Sequence, residues 1–204
     1  MKDLSTSWSL AWQGLGAQGD GHAVRDAVLA AYAEAHRRYH SLQHLQECLE
    51  LFESVREAAD HPAEVEMALW FHDAIYALKG SDNEARSADW AHAVLMQAGV
   101  AAAAADLVRD LILVTRHSGV PRSRDEQVLV DVDLAILGAA PERFAEYEAQ
   151  IREEYAHVPG FLFRMKRRSI LASFVAREAI YSTPVLHQRL EARARANLAK
   201  AIAA

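Results

Sequence analysis

Along most of this chain the apolar residues recur at the spacing of one helical face, and that periodicity limits its fold more than any other feature. Leu42, Leu45, Leu49 and Phe52 form one stripe; Val24, Ala27, Val28, Ala31 and Tyr32 form another. Such stripes must be covered by other helices. Alternation of the strand type is essentially absent, and Val128-Leu129-Val130 is the one β-like patch. The reading is therefore an all-α fold, a compact bundle of about nine helices packed by their apolar faces.

Punctuation places the helices. A short one is expected near residues 5–15, then others over 22–34, 41–60, 62–76, 84–99, 101–117, 125–137, 141–157, 161–181 and 183–204. Pro62 and Pro141 suit first helical positions, whereas Gly99 and Gly138 suit ends. No linker is long enough to divide the chain, so 1–204 is read as a single domain.

A net charge of −6 disfavours a nucleic-acid partner, whose phosphates require a basic face. Local basic clusters still suit a small phosphorylated ligand. With Cys48 as the single cysteine there is no internal disulfide, and the first residues lack the apolar core of a signal peptide. No apolar run has the length of a membrane span. The expectation is a cytoplasmic protein without a membrane partner, and a homo-oligomer is compatible with it.

Four polar places do not fit a plain bundle. In Trp70-Phe71-His72-Asp73-Ala74-Ile75-Tyr76 a histidine and an aspartate stand together inside an apolar run. Burying an ionised carboxylate is costly unless a partner meets it. The pair either satisfies itself structurally or faces a metal ion. His40 and His44, four residues apart, share one helical face or are a helix-start histidine with a surface neighbour. Asp131 and Asp133 lie within an apolar stretch and point apart on a helix, so one faces a site and the other caps or pairs elsewhere. His117 ends a helix, either as a capping cation or as a residue reaching the site. Together these give imidazole and carboxylate donors on three helices. Such a mixture suits a divalent ion (Mn, Fe, Co, Ni, Zn or Mg) with positions left for water and a substrate oxygen.

In this order the residues resemble the HD superfamily of metal-dependent phosphohydrolases. The segments that carry the resemblance are Arg37 to His44, Phe71 to Asp73, Asp82 to Ala88, Thr115 to His117 and Asp131 to Gly138. In the Thr115 segment the histidine falls two residues on, where the pattern has three. The resemblance implies metal ligation by His40, His72, Asp73 and Asp133, with Asp131 as the alternative to Asp133. It also implies an HD-domain-like helical fold and hydrolysis of a phosphate ester or anhydride, in a nucleotide or another small phosphorylated metabolite.

In that mechanism Asp73 both binds metal and orients the attacking water. Glu84 reaches back as a general acid or an orienting group, or is simply an acid favoured in a helix's first turn. Arg37, Arg38, Arg116 and the Lys166-Arg167-Arg168 cluster are candidate phosphate donors, with Arg167 first because it adjoins the Ile170-Leu171 stripe. His44 and His117 are assigned to substrate, His44 alternatively to the support of His40. Two rival classes remain: a di-iron oxygenase on the same scaffold, drawing on His44, His92 and His117, and a non-catalytic module that binds metal or nucleotide.

Overall fold

The computed structural model describes residues 3–117 and 119–203. Among these residues there are ten α-helices and no strand. They are α1 Leu4–Gly14, α2 His22–Tyr32, α3 Leu42–Glu53, α4 Pro62–Phe71, α5 Asn83–Gln97, α6 Ala102–Val114, α7 Arg124–Asp133, α8 Pro141–Glu154, α9 Gly160–Val175 and α10 Pro184–Ala203. Short 3-10 turns, Arg56–Ala58 and Leu134–Gly138, follow α3 and α7. None of the helices is long and apolar enough to cross a membrane.

The centre of the fold is α4. Every residue from Val65 to Phe71 is buried, so beyond its first turn this helix has no solvent face. It is packed by α1, α3, α6 and α7. Trp8 of α1 meets Trp70 edge to face, with ring centroids 5.1 Å apart, and stacks on Trp12 at 5.4 Å. The one ionisable residue in that stretch, Glu66, accepts a hydrogen bond from the Ser7 hydroxyl at 2.6 Å and pairs with the Arg56 guanidinium. A buried carboxylate is tolerable on those terms.

The β-like patch Val128-Leu129-Val130 is helical, within α7, and fully buried. A short apolar run has no periodicity to distinguish a strand from a helix buried on several sides. Its helix begins with a capping box, Ser123 and Glu126 exchanging hydrogen bonds with each other's backbone.

Several helices stop earlier than their apolar pattern does, and in each case a distant side chain takes the backbone groups. α4 ends at Phe71: the next amide in register, that of Asp73, turns to the Tyr32 hydroxyl at 3.2 Å, and the carbonyls of Asp73 and Ala74 accept from the Arg37 guanidinium at 2.6 and 3.0 Å. α9 ends at Val175, and the amides of Ile180 and Tyr181 turn to Glu191. The next two amides, Ser182 and Thr183, turn to Asp131 at 2.8 and 2.6 Å. These bonds span from about ten residues to more than fifty, and no local propensity announces them.

Candidate metal centre

The central helix delivers the site. Where α4 ends, His72 stands at its C-cap and Asp73 follows in a turn. The neighbours of α4 bring the other donors: α3 carries His44 and Cys48 one turn apart, and α7 ends on Asp133. The turn after α6 carries His117, whose backbone adopts φ 52°, the left-handed conformation uncommon for a residue with a Cβ.

The donor atoms converge. His44 Nε2 and His72 Nε2 are 3.0 Å apart. Asp73 Oδ2 lies 3.1 Å from His72 Nε2 and 3.5 Å from His44 Nε2. Asp133 Oδ1 lies 3.6 and 3.3 Å from the same two nitrogens. Ligands about 2.1 Å from one ion are about 3.0 Å apart at a right angle and about 3.4 Å apart at a tetrahedral angle. The separations run from 3.0 to 3.6 Å, in that range or just beyond it. His72 Nδ1 is fixed on the Leu69 carbonyl at 2.7 Å, which leaves Nε2 to face the other donors. Such an outer hydrogen bond orients a metal-binding histidine.

His44, Cys48, His72 and Asp133 form a buried group that can hold a metal ion, their donor atoms lying within 4.8 Å of one another. Cys48 Sγ is 3.6 Å from His44 Nδ1. Burial, followed by the charges of Asp133 and Asp73, pushes its thiol well above the ordinary range. Asp73 is the other neighbour of both imidazoles. Burial alone would raise the Asp73 carboxyl, but His72 and His40 hold it below the ordinary carboxylate range. Asp133 is likewise held down against burial, by hydrogen bonds from His117, His44 and His72. Burial opposes protonation of His72, yet Asp73 and Asp133 raise it well above the ordinary value.

The donors that converge differ from the expected ligand set at one position. His72, Asp73 and Asp133 lie together as expected of a shared ion, but the second imidazole among them is His44, not His40. His40 precedes α3, its Nδ1 held 2.7 Å from Glu154 Oε2, and its ring stands in the cavity wall outside the close donor group. His44 lies one turn further along the same face, aimed at the end of α4. The alternative to Asp133, Asp131, is fully committed to Ser182 and Thr183 and holds the entry to α10.

The residues assigned to substrate divide. Arg37 is buried outside the cavity wall, with Glu34 and the carbonyls of His40, Asp73 and Ala74 taking four of its five donors. Arg38 points to solvent and pairs with Glu153 at 3.4 Å. Both are corrected from substrate binding to structural and surface roles. His117 Nε2 donates to Asp133 Oδ2 at 3.0 Å, and its buried Nδ1 has no partner among the described residues.

A cavity of about 610 Å³ opens over the donor set, with His40, Asp73, Asp133 and His117 in its wall. Glu84, Arg116, Lys166 and Arg167 also line it. Arg167 is tethered to Glu148 and lies 4.9 Å over the Tyr147 ring, whereas Arg116 reaches Glu84 only at 4.0 Å. Tyr76, Tyr155, Phe163 and Phe174 give the cavity an aromatic side.

One residue has no signal in the sequence at all. Glu154, at the end of α8, is buried and receives five hydrogen bonds. Oε1 accepts the backbone amides of Arg38, Tyr39 and His40 at 2.8, 2.9 and 3.0 Å. Oε2 accepts from His40 Nδ1 at 2.7 Å and from the Tyr76 hydroxyl at 3.0 Å. Burial would raise this carboxyl, but the His40 bond and charge and the backbone amides hold it down at about 2. Cys48, by contrast, is visible four residues after His44 as a donor on the same face.

Comparison with known proteins finds no matching family model, no curated relative and no solved structure at a significant level.

Proposed function

We propose that this protein is a metal-dependent phosphohydrolase acting on a small phosphorylated metabolite. The observation that carries the reading is the convergence of His44, His72, Asp73 and Asp133 beneath a cavity with cationic residues in its wall. The ordered resemblance to the HD superfamily agrees with it, with His44 in the place first given to His40.

The donor set fits a divalent ion. Two imidazole nitrogens 3.0 Å apart cannot both keep lone pairs facing each other without a proton or a cation between them. Two carboxylates beside them favour the cation. Nitrogen and oxygen donors together suit Mn, Fe, Co, Ni or Zn, and Mg less well because it prefers oxygen. When bound, such an ion lowers the proton affinity of a water and polarises a phosphoryl oxygen.

The chain's own residues supply the rest. Asp73 holds a position from which it orients a water. Arg116 and Lys166 offer positive charge to the phosphate, and Arg167 adds a donor held in place by Glu148. Glu84, across from Arg116, is available to a substrate hydroxyl or to the water. The aromatic side suits an apolar or ring-bearing part of the substrate, a nucleobase among the candidates.

The test is a hydrolysis matrix of divalent ions against nucleotides and simple phosphate esters, on protein first stripped of metal. Turnover restored by an ion and lost in His44→Ala and Asp133→Asn supports the reading. Bound metal with no turnover of any ester refutes it, and oxygen uptake with two irons per chain replaces it with an oxygenase.

A further inference from the structure

His40, in the cavity wall, is fixed by the Glu154 carboxylate, which lies outside that wall. Its Nδ1 is 2.7 Å from Glu154 Oε2, and the ring stacks on Tyr76 with centroids 4.2 Å apart. The same Glu154 grips the backbone amides of Arg38, Tyr39 and His40, so both the main chain and the ring are held by one side chain. Tyr76 donates to Oε2 as well, which keeps the stacking ring in register. With Nδ1 occupied, Nε2 is the nitrogen left over, and it has no partner among the described residues. The ring lines the cavity that also contains Asp73 and Asp133. It meets the His44 ring edge to face, with centroids 6.1 Å apart.

We propose that His40 is the proton donor to the leaving-group oxygen of the phosphate ester, and that Glu154 is its positioning residue. This rests on the phosphohydrolase reading above. In the step, a water oxygen forms the new bond to phosphorus and releases a proton to solvent. The bond between phosphorus and the leaving oxygen breaks, and its electron pair takes the proton from His40 Nε2. The imidazole regains a proton from solvent before the next turnover. No oxidant or second co-reactant is needed. The Glu154 carboxylate, 2.7 Å behind the ring, favours its doubly protonated form. An aspartate or glutamate behind a histidine serves in the same way to fix its tautomer and to stabilise its cation.

A leaving-group comparison tests this. An alkyl phosphate such as glycerol phosphate expels a poor leaving group and needs the proton; 4-nitrophenyl phosphate expels a stable phenolate and does not. General acid catalysis contributes roughly 100-fold to 10,000-fold. His40→Asn should therefore lose at least about 100-fold in kcat on the alkyl ester and under about 10-fold on the nitrophenyl ester. Its metal content should equal that of the wild type. Glu154→Gln should show the same selectivity in milder form, with most nitrophenyl turnover kept, a pattern that loss of folded protein would not produce because unfolding lowers both rates together. Equal losses on the two esters in His40→Asn overturn the proposal, as does loss of the metal, which would make His40 a ligand. Wild-type protein that turns over neither ester with any ion removes the phosphohydrolase reading, and the proton donor with it.

Discussion

Replacing Glu154 by glutamine should destabilise the protein by about 3 kcal/mol at pH 7. Glutamine keeps an oxygen for the three amides of residues 38–40 but presents an amide, or no charge, to His40 and Tyr76. The carboxylate is held at about 2 against an ordinary 4.5, and a difference of that size corresponds to about 3 kcal/mol at about 1.4 kcal/mol per unit. Loss of charged hydrogen bonds at about 1.5–3 kcal/mol each gives a similar figure. The sign follows from linkage: the folded chain binds this proton less readily than the unfolded chain. The stabilisation is thus complete above pH 4.5 and is lost as the pH falls through about 2. Because protonated glutamate resembles glutamine, the gap between wild type and Glu154→Gln should narrow from about 3 kcal/mol at pH 7 to about 1 kcal/mol at pH 3. The assay is urea denaturation of both proteins in EDTA, which removes any contribution from metal. In thermal melts the same difference appears as about 6–12 °C. A gap under about 0.5 kcal/mol at neutral pH, or one that stays constant down to pH 3, would refute the view that Glu154 is an ionised clamp on this turn.

Other outcomes follow from the same contacts. A divalent ion at about 100 times its Kd should stabilise the wild type by about 2.7 kcal/mol, or about 5–10 °C in Tm; a thermal-shift titration checks this, and His44→Ala and His72→Ala should abolish the shift. Arg37→Met strands three carbonyls on a buried side and should cost about 3–5 kcal/mol, whereas Arg38→Ala should change denaturation by under about 0.5 kcal/mol. Asp131→Asn should lower stability by about 1–3 kcal/mol while leaving metal affinity intact, and Asp133→Asn should lower metal affinity, a contrast that calorimetric metal titration reads directly. Leu69→Ala should cost about 2–5 kcal/mol in chemical denaturation, since this residue is fully buried in the central helix.

How the site divides between sequence and structure is clearest in the histidines. His40 and His44 have the same type, the same helical face and nearly the same setting in the chain. Spacing offers no means of choosing between them, and the resemblance named the first. What chooses is Glu154, 114 residues away from His40, whose carboxylate captures the His40 ring and leaves His44 to meet His72. The arginines behave alike: Arg37 and Arg38 are neighbours with equal charge, yet one is buried under the turn that ends α4 and the other faces solvent.

The amino-acid order by itself determined the helical class, the coverage demanded by each apolar stripe, and the withdrawal of His72 from water beside Asp73. Those follow from periodicity and from the cost of burying charge, both local to a few turns of chain. The tertiary structure alone decided where α4 and α9 stop, which of two equivalent imidazoles joins the donor set, and which carboxylate stands behind the other. Those outcomes depend on hydrogen bonds between residues distant in sequence, and a bond of that kind leaves no periodic trace in either partner.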